Sequence, residues 1–393
     1  MVGGQTTYSG VKVDELSALR HMTVYSCVRV RSESFGSLPV SVYRRRKTGK
    51  GQDEAWDHPL YELIHSVPNT EMTSLTWRET MNGHLDLAGN CYSIITRNQR
   101  GQVIDIYPWD WRQVNPQRNK ETGKLEYQVY DRGKGDIYPA DQIFHVPGLG
   151  FDGIQGYSVI QMAREGVALG LAISEFSGRF FGQGMNVGIV LQTDQTFKNP
   201  KEDAEFIREQ FEERSSGLAN SHRPMVLHGG LKVDRIPMPL EDAQFVEQYK
   251  LNQAQICGLY RVPPHLIANL ERATFSNIEH QGIEYVVFSM LPLITRFEQV
   301  MNWKLFSAAE RQAGYFVKFN VDALLRGDYK SRQEGLAIQR QNGVINADEW
   351  RGMEDANPIG GAAGQAYLVN GNMISTENAA GQTQKIPPQN GGE

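Results

Sequence analysis

With 393 residues, 40% of them hydrophobic, the chain exceeds one typical domain and can bury one sizeable core or two modest ones, which excludes general disorder. Lys and Arg number 40 against 45 Asp and Glu, a net charge of −5, which excludes a protein that grips nucleic acid through a broad basic surface but leaves weak contact open. Cys27, Cys91 and Cys257 are widely spaced and lack metal-ligand spacing, so they read as reduced, buried thiols of a protein made in the cytosol.

Residues 1–10 are polar and Gly-rich, and no run of eighteen apolar residues occurs, so neither a signal peptide nor a membrane span is expected. Leu16 to Phe35 has a helical pattern, and Leu38 to Tyr43 alternates as a strand. Arg44-Arg45-Arg46-Lys47 could meet nucleic acid, but beside a Gly turn it reads as a solvated hairpin tip. His58-Pro59-Leu60 starts a helix, and Thr73 to Leu87 makes another. His58, His65 and His84 show no metal spacing and read as surface or partly buried polar residues. Strands are expected at Cys91 to Arg97, Val103 to Pro108, Leu125 to Tyr130 and Gln142 to Val146, a mixed α+β region.

Gly148-Leu149-Gly150-Phe151-Asp152-Gly153 fits a dinucleotide-binding pattern. Pro147 ends the preceding strand, Asp152 would repel a pyrophosphate, and the next helix begins only near Ser158, so a turn is the better reading. That helix, Ser158 to Gly182, has Gly166 and Gly170 on one side and should pack closely on another helix, in this chain or a neighbouring subunit. A compact unit follows, with a strand at Gly188 to Thr193, a helix at Pro200 to Ser216, and strands at Met225 to His228 and Leu231 to Ile236. The acids of its helix, Glu202 to Glu213, are interspersed with Lys201, Arg208 and Arg214 and suit a solvated face rather than a metal nuclease.

From Glu241 a helix carries Phe245, Tyr249, Asn252, Ile256 and Leu259 on one face until Pro263-Pro264 stops it. The next helix opens on a capping box, Ser276 to Glu279, and Pro292 should kink it. A strand at Tyr315 to Phe319, a helix from Asp322 to Gln341 and a short helix capped by Asn346 complete the ordered part. Beyond Gly360 the composition predicts a flexible tail with one short strand at Tyr367 to Val369.

Several motifs occur in order: Ser37-Leu38-Pro39-Val40, Asp57-His58-Pro59-Leu60, Arg78-Glu79, Gly89-Asn90, Asp152-Gly153, Phe180-Phe181, Glu241-Asp242-Ala243-Gln244, Val262-Pro263-Pro264-His265-Leu266-Ile267 and Glu271 to Glu279. Together, over roughly Val24 to Pro358, they resemble the portal proteins of long-tailed double-stranded-DNA phages. The resemblance implies an α+β portal fold with a mixed α/β wing (1–155, and 276–321 as a long helix and strand) and long stem helices (156–186 and 239–260). It further implies a small α/β clip (187–238), a tunnel loop (261–275), a short helical crown (322–359) and a flexible tail (360–393).

It implies a ring of twelve subunits, or thirteen in isolation, at one capsid vertex of the virion, with double-stranded DNA passing through during packaging and ejection. A terminase packaging motor, a head-completion adaptor and the major capsid protein would be its partners. Arg261, His265, Arg272, Thr274 and Phe275 are the channel-loop candidates. No catalytic set, cofactor, metal or membrane partner is expected, and ATP hydrolysis would belong to the separate motor, since no Walker A pattern is present. The alternatives are a capsid or tail adaptor that never surrounds DNA, and a nucleotide-binding enzyme.

Overall fold

The computed structural model describes residues 5–47, 51–182, 189–192, 200–215, 232–235, 242–269, 275–325, 329–354 and 356–368. The chain forms two units, residues 1–321 and residues 322–393.

The first unit opens with a two-stranded ribbon, β1 (Gln5–Thr6) and β2 (Lys12–Val13), and a 3-10 turn at Ser17–Arg20. Helix α1 (Met22–Gly36) follows, then β3 (Val40–Arg45), β4 (Gln52–Glu54), α2 (Pro59–His65) and α3 (Ser74–Ala88). The helix starts are set by side chains: His21, His58 and Thr73 each accept a first-turn backbone N–H. Next come β5 (Asn90–Arg97), β6 (Val103–Trp109), β7 (Val114–Arg118), β8 (Leu125–Asp131), β9 (Lys134–Pro139) and β10 (Ile143–Pro147). Every pairing is antiparallel, giving three-stranded sheets β10-β5-β6 and β7-β8-β9. β4 and β9 lack the apolar alternation of a half-buried strand: β4 is wholly exposed and β9 nearly so, which is why sequence periodicity misses them.

After β10 come α4 (Val159–Met162) and α5 (Arg164–Gly182), so the expected single helix breaks at Ala163, whose backbone is non-helical. β11 (Ile189–Gln192), α6 (Pro200–Ser215) and β12 (Lys232–Arg235) follow, with β11 and β12 paired antiparallel. The strand expected at Met225 to His228 lies outside the described residues.

α7 (Asp242–Tyr260) ends before the two prolines as expected, but its inner face closes on buried Tyr260 while Leu259 is exposed. α8 (Phe275–Glu284) already contains Ser276, so the capping box anticipated there is not its start. A π-helical segment, Tyr285–Met290, joins α8 to α9 (Leu291–Lys304), and Pro292 lies in the first turn of α9. α10 (Ala308–Gln312) and β13 (Tyr315–Phe319) complete the unit, and β13 makes the sheet β13-β3-β4.

The core lies where α1, α3 and α9 meet β13, β5 and β10. Phe35 packs at a tilt against Phe297, with ring centroids 4.5 Å apart, and lies 5.2 Å from Phe319, and Phe144 joins Phe297 and Trp77. A second cluster gathers Tyr92, Val114, Tyr127, Val129 and Ile143.

The second unit holds α11 (Tyr329–Gln341), α12 (Ala347–Met353) and α13 (Gly361–Gln365). A 3-10 turn at Val321–Leu325 precedes α11, where a continuous helix from Asp322 was expected. Asn346 and Glu349 form the capping box of α12. At the start of the segment expected to be a tail, α13 forms, and the Asp348 carboxylate accepts the Ile359 N–H at 2.6 Å and also meets the Gly360 N–H, docking this stretch on α12. Tyr367 and Leu368 are not in a strand, and Val369 lies outside the described residues.

Candidate functional site

The segment between α7 and α8 is fixed at its near end by backbone geometry. Arg261 adopts a left-handed φ of 54°; its N–H donates to Gly258 O at 3.2 Å, and Val262 N–H donates to Cys257 O at 3.0 Å. This is a Schellman cap with an arginine where glycine is usual, closed by buried Val262. Pro264–Ile267 forms a 3-10 turn, ended by Ala268 at φ 63°.

The described loop side chains turn back onto both helices of the hairpin. His265 Nδ1 donates to Gln281 Oε1 at 2.8 Å, and Asn269 Nδ2 donates to Gln253 Oε1 at 3.0 Å. Arg261 Nη1 donates to Phe288 O at 3.2 Å. Phe288 lies in the π-helical segment described above, and the residue four on, Pro292, has no N–H to offer its carbonyl, so Arg261 provides a donor from its side chain. Of the candidate loop residues, Arg261 and His265 are therefore both tied to the α8 side of the hairpin. Phe275 is the first residue of α8, while Arg272 and Thr274 lie outside the described residues.

The exposed residues of α7 include Glu247, Gln248, Lys250, Leu251, Gln255 and Leu259, mixed in charge with amides and two leucines. The buried side of α7 holds Asn252, a residue the sequence places only in an apolar stripe. Asn252 Nδ2 donates to Gly166 O of α5 at 2.8 Å, and its Oδ1 lies 3.0 Å from His21 Nε2. His21 Nδ1 accepts the Thr23 N–H, so Nε2 carries the proton and donates to Asn252. Burial holds the His21 pKa below its ordinary value, and the Asn252 bond opposes that shift.

Two further histidines are pinned. His84 packs edge-on to Trp111, and burial lowers its pKa to about 4. His145 lies between Tyr127 Oη and Asn90 Oδ1, each at 3.1 Å, and burial lowers its pKa to about 3. His84 is partly buried, in line with the sequence reading, and His145 is buried. Cys27, Cys91 and Cys257 are free and buried, and the interaction of Cys27 with Cys257 raises the first thiol's pKa and lowers the second's.

The glycine-rich turn is filled by its own chain. Asp152 Oδ1 accepts the N–H groups of Ile154 and Gln155, each at 2.8 Å, and these bonds hold its carboxyl below the usual range. Gly148 N–H donates to Gly89 O at 2.7 Å, and a Cβ on Gly156 would lie 2.1 Å from that same oxygen. The glycines thus permit a backbone crossing beside Asn90, with no phosphate cradle formed. Among the described residues no cluster of His, Cys, Asp or Glu is arranged to hold a metal, and no helix is long and apolar enough to cross a membrane.

The model of the phage portal protein family matches residues 22–355. The chain belongs to the phage portal protein family. A probable portal protein of Streptomyces phage phiC31 is 29% identical over 386 residues, spanning 94% of this chain and 82% of that protein. The portal protein of Enterobacteria phage HK97 is 26% identical over 383 residues, spanning 96% of this chain and 88% of that protein. Among solved structures, an HK97-family phage portal protein from Corynebacterium diphtheriae aligns with a TM-score of 0.59 at 17% identity, covering 83% of this chain and 99% of that one. The neck of a native gene transfer agent particle, computed with C12 symmetry, aligns with a TM-score of 0.60 at 20% identity, covering 88% of this chain and 94% of that one. These likenesses establish the portal fold, a mixed assembly of helices and antiparallel sheets.

Proposed function

We propose that this portal-family chain assembles as a twelve-membered ring at one capsid vertex of a virion, where double-stranded DNA passes through its centre during packaging and ejection. The observation that carries this reading is the family match over residues 22–355. In it, residues 1–155 and 276–321 serve as the wing, 156–186 and 239–260 as stem helices, 187–238 as the clip, 261–275 as the channel loop and 322–359 as a short crown. The ring joins head to tail, receives DNA from a terminase motor, and meets the major capsid protein and a head-completion adaptor. It is a structural component, with ATP hydrolysis left to the motor.

Physical chemistry supports a conduit of this kind. Each firm Lys or Arg contact to phosphate releases counterions and adds affinity that opposes sliding. The mixed charges and amides on the exposed side of α7 favour weak contact, and the net charge of −5 disfavours a clamp.

Native mass spectrometry with negative-stain imaging tests the proposal. Twelve copies of a 44.3 kDa chain give about 530 kDa with a central hole in end-on views. A stable monomer or dimer under assembly conditions would turn the reading toward an adaptor that never surrounds DNA.

A further inference from the structure

Arg31 lies on α1, far in sequence from the candidate loop, yet its side chain is only 12% exposed and meets both roots of the α7–α8 hairpin. Its Nε donates to Asp86 Oδ2 of α3 at 2.8 Å. Its Nη1 donates to Tyr260 O at 3.2 Å and to Ser289 Oγ at 2.5 Å. Tyr260 is the last residue of α7, so its carbonyl has no acceptor role left inside the helix and needs an outside donor. Ser289 sits inside the π-helical segment, where backbone bonds run to the fifth residue back and interrupt the regular α-helical ladder.

The supporting shell is built for this guanidinium. Asn82 Nδ2 donates to Asp86 Oδ2 at 2.9 Å and to Ser32 Oγ at 3.1 Å, while Tyr260 Oη reaches Asp86 O at 3.4 Å. On the outer side Arg261 holds Phe288 O, and Ser289 Oγ itself donates to Tyr260 O at 3.5 Å, so residues 260 and 261 are fastened to residues 289 and 288 by two arginines and the Ser289 hydroxyl. The chain between these fastenings contains the whole loop and α8.

We propose that Arg31 is a positioning residue: one buried guanidinium clamps the end of α7 to the π-helical segment, sets that segment's register, and so fixes the angle at which the loop is carried. The planar fork explains why arginine is needed, since three acceptors on three elements must be met at once. What the positioned loop does rests on the channel reading above, whereas the clamp stands on geometry within one chain.

Hydrogen exchange on the assembled protein tests it, comparing wild type with Ser289→Ala and Arg31→Lys. Ser289→Ala leaves the Arg31–Asp86 pair intact, so exchange should quicken about tenfold in peptides covering 275–290 and stay unchanged in α3. Arg31→Lys, which keeps the charge and loses the fork, should quicken the same peptides and also free the end of α7. Unchanged exchange at 275–290 in both variants overturns the clamp. So does equal loosening of α3 and α8 in Ser289→Ala, which would make the hydroxyl an ordinary core contact. Ring mass, read on the same samples, reports separately on the channel proposal, because loss of the ring in wild type would sink that reading while leaving the exchange result to judge Arg31.

Discussion

The Nε2–H of His21 donates to Asn252 Oδ1 across 3.0 Å, and this bond ties the start of α1 to the middle of α7. Because Asn252 also donates to Gly166 O, three helices are joined through one buried amide. Gly170 makes room for the arrangement: a Cβ there would lie 2.1 Å from His21 Nε2 and 2.4 Å from Asn252 Oδ1. Gly170→Ala is therefore predicted to destabilise the fold by about 1–3 kcal/mol, despite alanine's better helix propensity. A thermal melt as stable as wild type would show that α5 and α7 can part without cost. Asn252→Ala, which leaves the imidazole N–H buried without an acceptor, should cost about 1–3 kcal/mol by the same measurement.

A second prediction concerns acid. His84 and His145 have pKa values lowered by burial to about 4 and about 3, below the ordinary value of 6.5. Between those values the unfolded chain binds more protons than the folded one, so stability rises with pH. The contribution of each neutral imidazole is fully present above about pH 6.5 and is lost as pH falls toward the folded value. Asn90 fixes the sense of the His145 contact, because its amide donates to Gly156 O at 2.7 Å and leaves Oδ1 facing the ring. Nε2 therefore carries the proton, and Nδ1 accepts from Tyr127. Replacing His145 with Gln should reduce the acid dependence of urea stability by about one bound proton between pH 4 and 6. An unaltered slope would mean that His145 is already protonated in the fold.

The arginine at the end of α7 allows a third prediction, by double-mutant cycle. Arg261→Ala removes the donor to Phe288 O and should cost about 1 kcal/mol. In a Pro292→Ala background residue 292 regains its own N–H, so Arg261→Ala should cost measurably less, a coupling of about 0.5–1 kcal/mol. Strict additivity in chemical denaturation would show that the proline and the arginine act independently.

These residues also explain how much could be read from the sequence. Motifs that carried the family resemblance hold unusual local duties: Arg78 is buried and donates to Leu38 O at 2.5 Å, Asn90 braces the backbone crossing, and Asp152 closes a turn. Such duties admit few substitutes, which is why these residue types stand out when the chain is read. Helices with one apolar face were legible for the same kind of reason, since periodicity reports burial. The Arg31, Asp86 and Ser289 cluster left no such mark. Its members stand 55 and 258 positions from Arg31, and each alone looks like a surface polar residue on a helix. The π-helical segment was visible only as Pro292, which announces a missing donor without saying how the chain accommodates it.

The described loop residues and the channel reading together yield the last prediction. Arg261 and His265 are engaged with Phe288 and Gln281, so alanine at either position should loosen the hairpin and lower the melting temperature before it alters DNA handling. Arg272 and Phe275 belong to the part of the loop that the channel reading brings to DNA. Arg272→Ala and Phe275→Ala should therefore leave ring mass and melting temperature near wild type while lowering the yield of packaged DNA several-fold. For Arg272 the defect should relax as salt rises, since a phosphate contact contributes a counterion-release slope of about 0.9 per contact. Phe275 should show no such dependence. Unchanged packaging in both variants would remove the loop from the DNA path, and a fall in stability matching that of His265→Ala would assign these residues to the hairpin instead.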